Sequence, residues 1–375
     1  MFKLSRLVPR VASHMGLLGL ILLSLNACTC SPSSQVTSSE QAGGGQGNSL
    51  HKEVNLAIWS NYVTDETIAA FKQATGIEVR ISNYSSNEEL LAKLQAGGSG
   101  IDVAVPSDYM VAALQKLNLV EPLNHALLPN MEGLDPNMKG REFDPTNQWS
   151  LPYGWTLTGI AVNRDLFKGN VASWKDLITH PELKGRVSLL DDAREALGAV
   201  LRTQGGGINS TDQTQIEAAK TALISAKPWI RAYTSEPRDL LVRGEVAAAQ
   251  IYSSDALQAR RETGGKIEFI VPEDGATMAI DNLVIPKGAT NVAAAHALIN
   301  HLLSPESNVS YVNTILAGPV VMKTAELLDP NLKADTGLFP PKEKMERLEM
   351  ARELGDVAAL WDRAWTEVKV RGGRG

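Results

Sequence analysis

At 375 residues the chain is longer than one hydrophobic core usually organises, and its 43% hydrophobic content supplies enough apolar side chain for two lobes. A charged fraction of 21% and a mean hydropathy of −0.11 describe a soluble body. The formal charge is −6, and without residues 1–27, which hold Lys3, Arg6 and Arg10 but no acid, it becomes −9. That balance argues against a nucleic-acid partner, since phosphate binding needs a basic stripe.

Residues 1–27 read as a targeting segment: a basic stretch from Lys3 to Arg10, then the apolar run Gly16 to Leu25. The run is shorter than the roughly 20 apolar residues that span a bilayer. Leu25-Asn26-Ala27-Cys28 follows and resembles the bacterial lipobox, with Cys28 as the lipidated residue; Cys30 fits that pattern poorly because Ala27 would stand at its apolar position. No other cysteine exists, so the body has neither a disulfide nor a cysteine metal site. Residues 28–52, rich in Ser, Thr, Gln and Gly, read as a flexible tether. A lipid, a tether and a soluble body predict a protein held at a membrane without entering it.

Val54 to Ile58 predicts a buried strand, and Thr64 an N-cap before Asp65 and Glu66, with Phe71 on the inner face and Gly76 as the stop. Strands over 77–81 and 101–105 flank a helix over 87–94. Strand and helix alternate, which means a parallel α/β sheet. A second series follows: a strand at 158–162, a helix around 174–177, a strand at 186–190, a helix from 194 to 204 and a strand at 247–251. Asp281 starts a further strand to Pro286, a helix covers 292–303, and residues 342–370 read as a helical tail with Leu348, Leu354, Leu360 and Trp365 on apolar faces.

Ligands in open α/β sheets sit beyond the carboxyl ends of strands. The residues found there are Trp59 and Tyr62, Ser107 and Tyr109, Asp191, Asp192 and Glu195, and Tyr252 and Asp255, with Asp281 at a strand start. Aromatic faces accept methylenes and attract cations, while carboxylates pair with ammonium groups, so the set suits an alkyl-ammonium ligand. Asp192 also reads as an N-cap, and Arg194 as a partner that positions the neighbouring acids. The six histidines show no metal spacing, and no nucleophile motif, P-loop or zinc helix is present, so the expectation is a binding protein without metal or cofactor rather than an enzyme.

Over residues 53–370 the chain resembles the periplasmic spermidine/putrescine-binding proteins of polyamine uptake transporters. The matching stretches include Trp59-Ser-Asn-Tyr62, Val105-Pro-Ser107-Asp-Tyr109, Leu151-Pro-Tyr153, Leu190-Asp-Asp192-Ala-Arg194-Glu195 and Asp281-Asn-Leu-Val-Ile-Pro286. The resemblance implies a type II periplasmic-binding-protein fold, with a cleft between lobes joined by crossing hinge strands. Lobe 1 would take residues 53–157 and 280–325, and lobe 2 residues 158–279 and 326–372. It implies a monomer that delivers a polyamine to the permease and ATPase of an ABC transporter, from the periplasm or cell surface.

Carried over by position, Trp59 and Tyr62 are ligand-stacking aromatics, Ser107 and Tyr109 first-lobe contacts, and Tyr252 stands where the family usually has tryptophan. Asp192, Glu195 and Asp281 match the ammonium-binding acids, and aspartate at 255 is the choice of putrescine-preferring members. Two aromatics are missing: the family tryptophan at Ala279 and a tyrosine near Ala317 and Gly318. The family's C-terminal polar contact has no match within 350–355.

Overall fold

The computed structural model describes residues 52–60, 62–97 and 100–370. The targeting segment 1–27, Cys28 and Cys30, and the tether apart from Lys52 lie outside the described residues.

Among the described residues eleven strands form one mixed sheet: β1 (Glu53–Trp59), β2 (Glu78–Tyr84), β3 (Val103–Ala104), β4 (Val120–Glu121), β5 (Ser150–Asn163), β6 (Val187–Leu190), β7 (Ile230–Thr234), β8 (Ala248–Tyr252), β9 (Ile267–Ile270), β10 (Ala276–Pro286) and β11 (Leu348–Glu349). The main helices are α1 (Asp65–Thr75), α2 (Asn87–Gln95), α3 (Asp108–Lys116), α4 (Trp174–Thr179), α5 (Ala193–Thr203), α6 (Gln213–Ser225), α7 (Pro237–Val242), α8 (Ser253–Glu262), α9 (Val292–Leu302) and α10 (Pro305–Ile315). The strand order is β2-β1-β3-β10-β5-β8-β6-β7. β1 runs parallel to β2 and β3, and β6 parallel to β7 and β8, whereas the long central pair β5 and β10 is antiparallel.

That central pair joins two α/β lobes. The later half of β10 pairs with β3 and β4, while the later half of β5 pairs with β8 and β9. On the β1 side, Phe71, Leu298 and Tyr311 pack into a core with Leu56 and Ile58, and Leu90 and Leu114 cover the other face with Val284. On the β6 side, Trp174, Leu197, Leu223 and Trp361 make a second core. Apolar residues three to four apart on each helix therefore meet alternate residues of the strands.

Local chemistry sets the ends of these elements. Thr64 caps α1 by accepting from Thr67 N at 3.2 Å, and Gly76 closes it at φ 71°, a left-handed conformation that a side chain resists. Two expectations are corrected. The tail is not one helix: a short helix, Lys342–Met345, gives way to β11, which pairs with Ala276 and Thr277, and only Ala358–Val370 is helical again. Asp281 does not start its strand but lies near the middle of β10, because Ala276 to Ile280 are already paired with β5 from Trp155 to Thr158 or with β11.

Gly318 is one glycine that the packing demands. Trp155 lies across it, so that a Cβ there would fall 1.9 Å from the indole, whose Nε1 donates to Pro319 O at 2.9 Å. Gly318→Ala should cost about 1–3 kcal/mol through overpacking. Thermal denaturation checks this, and an unchanged melting temperature would show that Trp155 does not depend on the glycine.

Candidate ligand-binding cleft

The β1-side wall of the cleft is built where β10 passes the turn from β3 into α3. Ser107, at the N-cap of α3, bridges to Asp281, and its hydroxyl donates to Asp281 Oδ1 at 2.7 Å. Tyr62, three residues beyond β1, donates its hydroxyl to Asp281 Oδ2 at 2.6 Å. Asp281 is buried, and among the described residues both hydrogen-bond partners of its carboxyl are hydroxyls rather than cations. Burial pushes its carboxyl above the usual carboxylate range, opposed by those two hydrogen bonds.

Aromatic rings support this acid. Tyr62 stands edge-on to Tyr311 with centroids 5.3 Å apart, and Tyr153 donates to Tyr62 O at 3.1 Å. Tyr311 in turn lies against Gly154, the residue opposite Asp281 in the ladder, where a Cβ would fall 2.2 Å from its hydroxyl. Trp59 is half-buried and tilted on Tyr84 at 4.7 Å, and its buried Nε1 has no hydrogen-bond partner among the described residues. Asn87 fixes the next contact, accepting from Ser107 N at 3.1 Å and donating to Tyr109 Oη at 3.0 Å. Tyr109 then donates to Glu88 Oε1 at 3.2 Å.

The opposite wall comes from the starts of α5 and α8. Asp192 is the N-cap of α5, accepting from Glu195 N at 2.9 Å, and remains exposed. Glu195 Oε2 accepts from Thr277 Oγ1 at 2.9 Å, and Gln250 holds the same turn by donating to Glu195 O at 2.9 Å. Burial first, and then the charge of Asp192, push the Glu195 carboxyl up to about 7, although Arg202 pulls it down. Tyr252, half-buried at the end of β8, lies within the field of Glu195, Asp192, Asp255 and Tyr109, and burial with these charges raises its hydroxyl. Tyr109 is raised by burial, by Glu88 and by Asp192, so the two walls act on one another electrostatically. Asp255, in the first turn of α8, is raised by burial and lowered by Arg238; of the residues named from sequence its tie to the others is the thinnest, running through Tyr252.

The floor joins the walls. Thr277, Ala279 and Asp281 alternate on β10 and share one face, with Thr277 reaching Glu195 and Asp281 reaching Ser107 and Tyr62. Four residues of strand separate the outer two by roughly 13 Å. Ala279 lies between them, half-buried. Thr277, Tyr153, Tyr311 and Asp108 were not singled out from sequence; of these only Asp108 and Tyr153 carried a signal, as members of the matching stretches 105–109 and 151–153.

Arg194 is a correction. Asp192 and Glu195 act on it, but its hydrogen bonds go to Ile208 O at 2.7 Å, Arg352 O at 3.1 Å and Asn209 Oδ1 at 2.8 Å, and its guanidinium lies 5.2 Å over Trp361. The arginine braces the loop at 208–209 and, through Arg352, the segment after β11, rather than the acids. The stretch from Leu348 to Glu353, β11 and the segment after it, borders a cavity of about 850 Å³ that Tyr109, Pro136, Asn137, Lys139 and Arg141 also line. Arg352–Glu142 at 2.8 Å and Lys116–Glu353 at 3.1 Å fasten it to the β1-side lobe, and Arg202–Glu349 at 2.9 Å fastens it to the other.

The comparisons agree with this architecture. The profile of the bacterial extracellular solute-binding proteins matches residues 66–340. The spermidine/putrescine-binding periplasmic protein of Salmonella typhimurium is 34% identical over 314 residues, covering 83% of this chain and 90% of that one. The putrescine/cadaverine-binding protein of Pseudomonas aeruginosa is 33% identical over 343 residues, covering 88% and 97%. Among solved structures, the spermidine/putrescine ABC transporter substrate-binding protein PotD from Streptococcus pneumoniae superposes with a TM-score of 0.80 at 29% identity, covering 84% of this chain and 98% of that one. The fold is the two-lobed α/β fold expected from sequence, and the chain belongs to the bacterial extracellular solute-binding protein family, among its spermidine/putrescine-binding periplasmic members.

Proposed function

We propose that the protein is an extracytoplasmic receptor that captures a polyamine, putrescine or spermidine, between lobes 53–157 with 280–325 and 158–279 with 326–372, and delivers it to the permease and ATPase of an ABC uptake transporter. The observation that carries this reading is Asp281, a buried carboxyl bonded among the described residues by two hydroxyls and no cation, mounted on the same strand face as the anchor of Glu195. A charge without a counterion is costly in such a place, and an ammonium group supplies one. The names of the relatives support the ligand class. Trp59, Tyr62, Ser107, Tyr109, Asp192, Glu195, Tyr252 and Asp255 would complete the site, with aromatic faces on the methylenes. The receptor acts as a monomer and is not a catalyst. Lipidation at Cys28 would hold it at the membrane, and mass spectrometry of the mature N-terminus tests that.

Calorimetry with putrescine, cadaverine, spermidine, spermine, agmatine, amino acids and sugars decides the ligand class. Micromolar or tighter binding of at least one polyamine is expected, and heat from none of the amines would overturn the reading. A second reading, the same fold tuned to another small cation or an amino-acid-like solute, is favoured by the small side chain of Ala279 at the centre of the floor. Binding of an amino acid in preference to every diamine would select it.

A further inference from the structure

Asp108 is a buried carboxyl to which the reading above gives no task. It is 2% exposed, in the first turn of α3, and its Oδ1 accepts from Tyr109 N at 2.7 Å. Its Oδ2 accepts from Ile280 N at 3.2 Å. The position of that second bond is informative. Along β10, Val284 pairs with Ala104, and Asn282 N donates to Pro106 O at 2.8 Å. Ile280 N is the next amide on the same side, where β3 has already ended, so the carboxylate of Asp108 stands in for the missing carbonyl. It extends the lobe's sheet by one rung at the point where the strand crosses between lobes.

The charged groups that act on Asp108 are Asp281 from β10 and Arg141 from the loop before β5, together with the amides of Ile280 and Tyr109. Arg141 is turned mainly elsewhere, with Nη1 donating to Asn137 O at 3.0 Å and Nε and Nη2 facing Met350 Sδ at 3.3 and 3.0 Å. Two buried carboxyls thus lie close enough to act on one another with no cation among the described residues bonded to either, and both cannot ionise there without repulsion.

We propose that Asp108 is a proton-linked positioning residue: it holds Ile280, and with it Asp281, on the β1-side lobe, carries a proton while Asp281 lacks a cation, and releases it when an ammonium binds. The proposal rests on the amine-receptor reading. The proton leaves the Asp108 carboxyl for the buffer, and the ammonium keeps its own protons. Burial, reinforced by Asp281, pushes the Asp108 carboxyl up to about 7, against the opposing pull of the two amides and Arg141. A cation beside Asp281 cancels the repulsion and lets Asp108 ionise.

At pH 6.5 such a group is about three-quarters protonated, so each amine bound should expel up to about 0.75 proton from Asp108. Glu195 adds a comparable share. Calorimetry of the full protein with putrescine and spermidine at pH 6.5, in PIPES and in ACES, reads the release from the difference in heat. In Asp108→Asn the release should fall by about half. Its affinity should match wild type near pH 6 and drop several-fold at pH 8, where wild type gains the extra negative charge. Unchanged release in the variant, or an equal loss of affinity at both pH values, would overturn the proposal. No heat from wild type with either amine would remove the receptor reading and this proposal together. Should the variant not fold, NMR of wild type labelled at aspartate carboxyl carbons gives the answer: a carboxyl titrating near 7 should move down on adding the amine, and its absence would be decisive against.

Discussion

Asp281→Asn should weaken amine binding by two to nearly four orders of magnitude and at the same time raise the melting temperature of the free protein. The affinity loss follows from burial: removing one partner of a buried, hydrogen-bonded charge pair costs about 3–5 kcal/mol because the other charge stays unpaired. The gain in stability has the same origin with opposite sign. Among the described residues the Asp281 carboxyl is held by the Tyr62 and Ser107 hydroxyls, and both can rotate to bond an amide in place of a carboxylate. The substitution keeps the shape and removes the desolvated charge, which should stabilise the ligand-free state by about 1 kcal/mol at pH 8. Calorimetry and thermal melts on one preparation test both halves. Affinity within threefold of wild type would remove Asp281 from the site, and a lower melting temperature would mean that the acid is structural.

The second large effect is a pH dependence of opposite sign for folding and for binding. Glu195 sits at about 7 in the folded protein against an unfolded value near 4.5. Because the folded pKa is raised, the folded state binds the proton more tightly. The stabilisation is fully present below the unfolded value and is lost as pH rises through 7. Free protein should therefore lose on the order of 2–3 kcal/mol of stability between pH 4.5 and 7.5 from this group. Glu195 alone should make amine affinity rise over the same window by up to about tenfold per unit below 7, because only the ionised carboxyl pairs with an ammonium. Glu195→Gln should flatten both slopes. Affinity independent of pH from 5 to 8 in wild type would place Glu195 outside the ligand's reach.

Much of the fold is legible in local chemistry. Thr64 and Gly76 mark α1 because a cap and a left-handed stop are short-range devices, and Val54 to Ile58 reads as buried because both faces of β1 are covered. Distant partners set the rest. β11 is two residues whose strand state exists only through Ala276 and Thr277, so a tail of helix-forming residues hid it. The start of β10 was missed for the same reason, since its first residues owe their conformation to β5 and β11. In the site, aromatic and acidic residues after strands were visible one at a time. Which of them meet was not, because Tyr62 and Asp281 stand 219 positions apart. Arg194 misled because sequence neighbours on a first helical turn point in different directions, and its long stem reached the loop at 208–209.

Thr277 and Asp281 being carried on one continuous strand also limits how the protein can evolve. Under the proposed reading a ligand's length would be measured along the backbone, as on a ruler, and adjusting the lobes could not change the spacing of the marks. Side chains on a strand alternate with a period of two, so a single-residue insertion or deletion between 277 and 281 would turn one of the two marks to the opposite face. New ligand lengths are open to this strand through substitution at Ala279 or through changes of two residues at a time, whereas a one-residue change leaves a ruler with only one end.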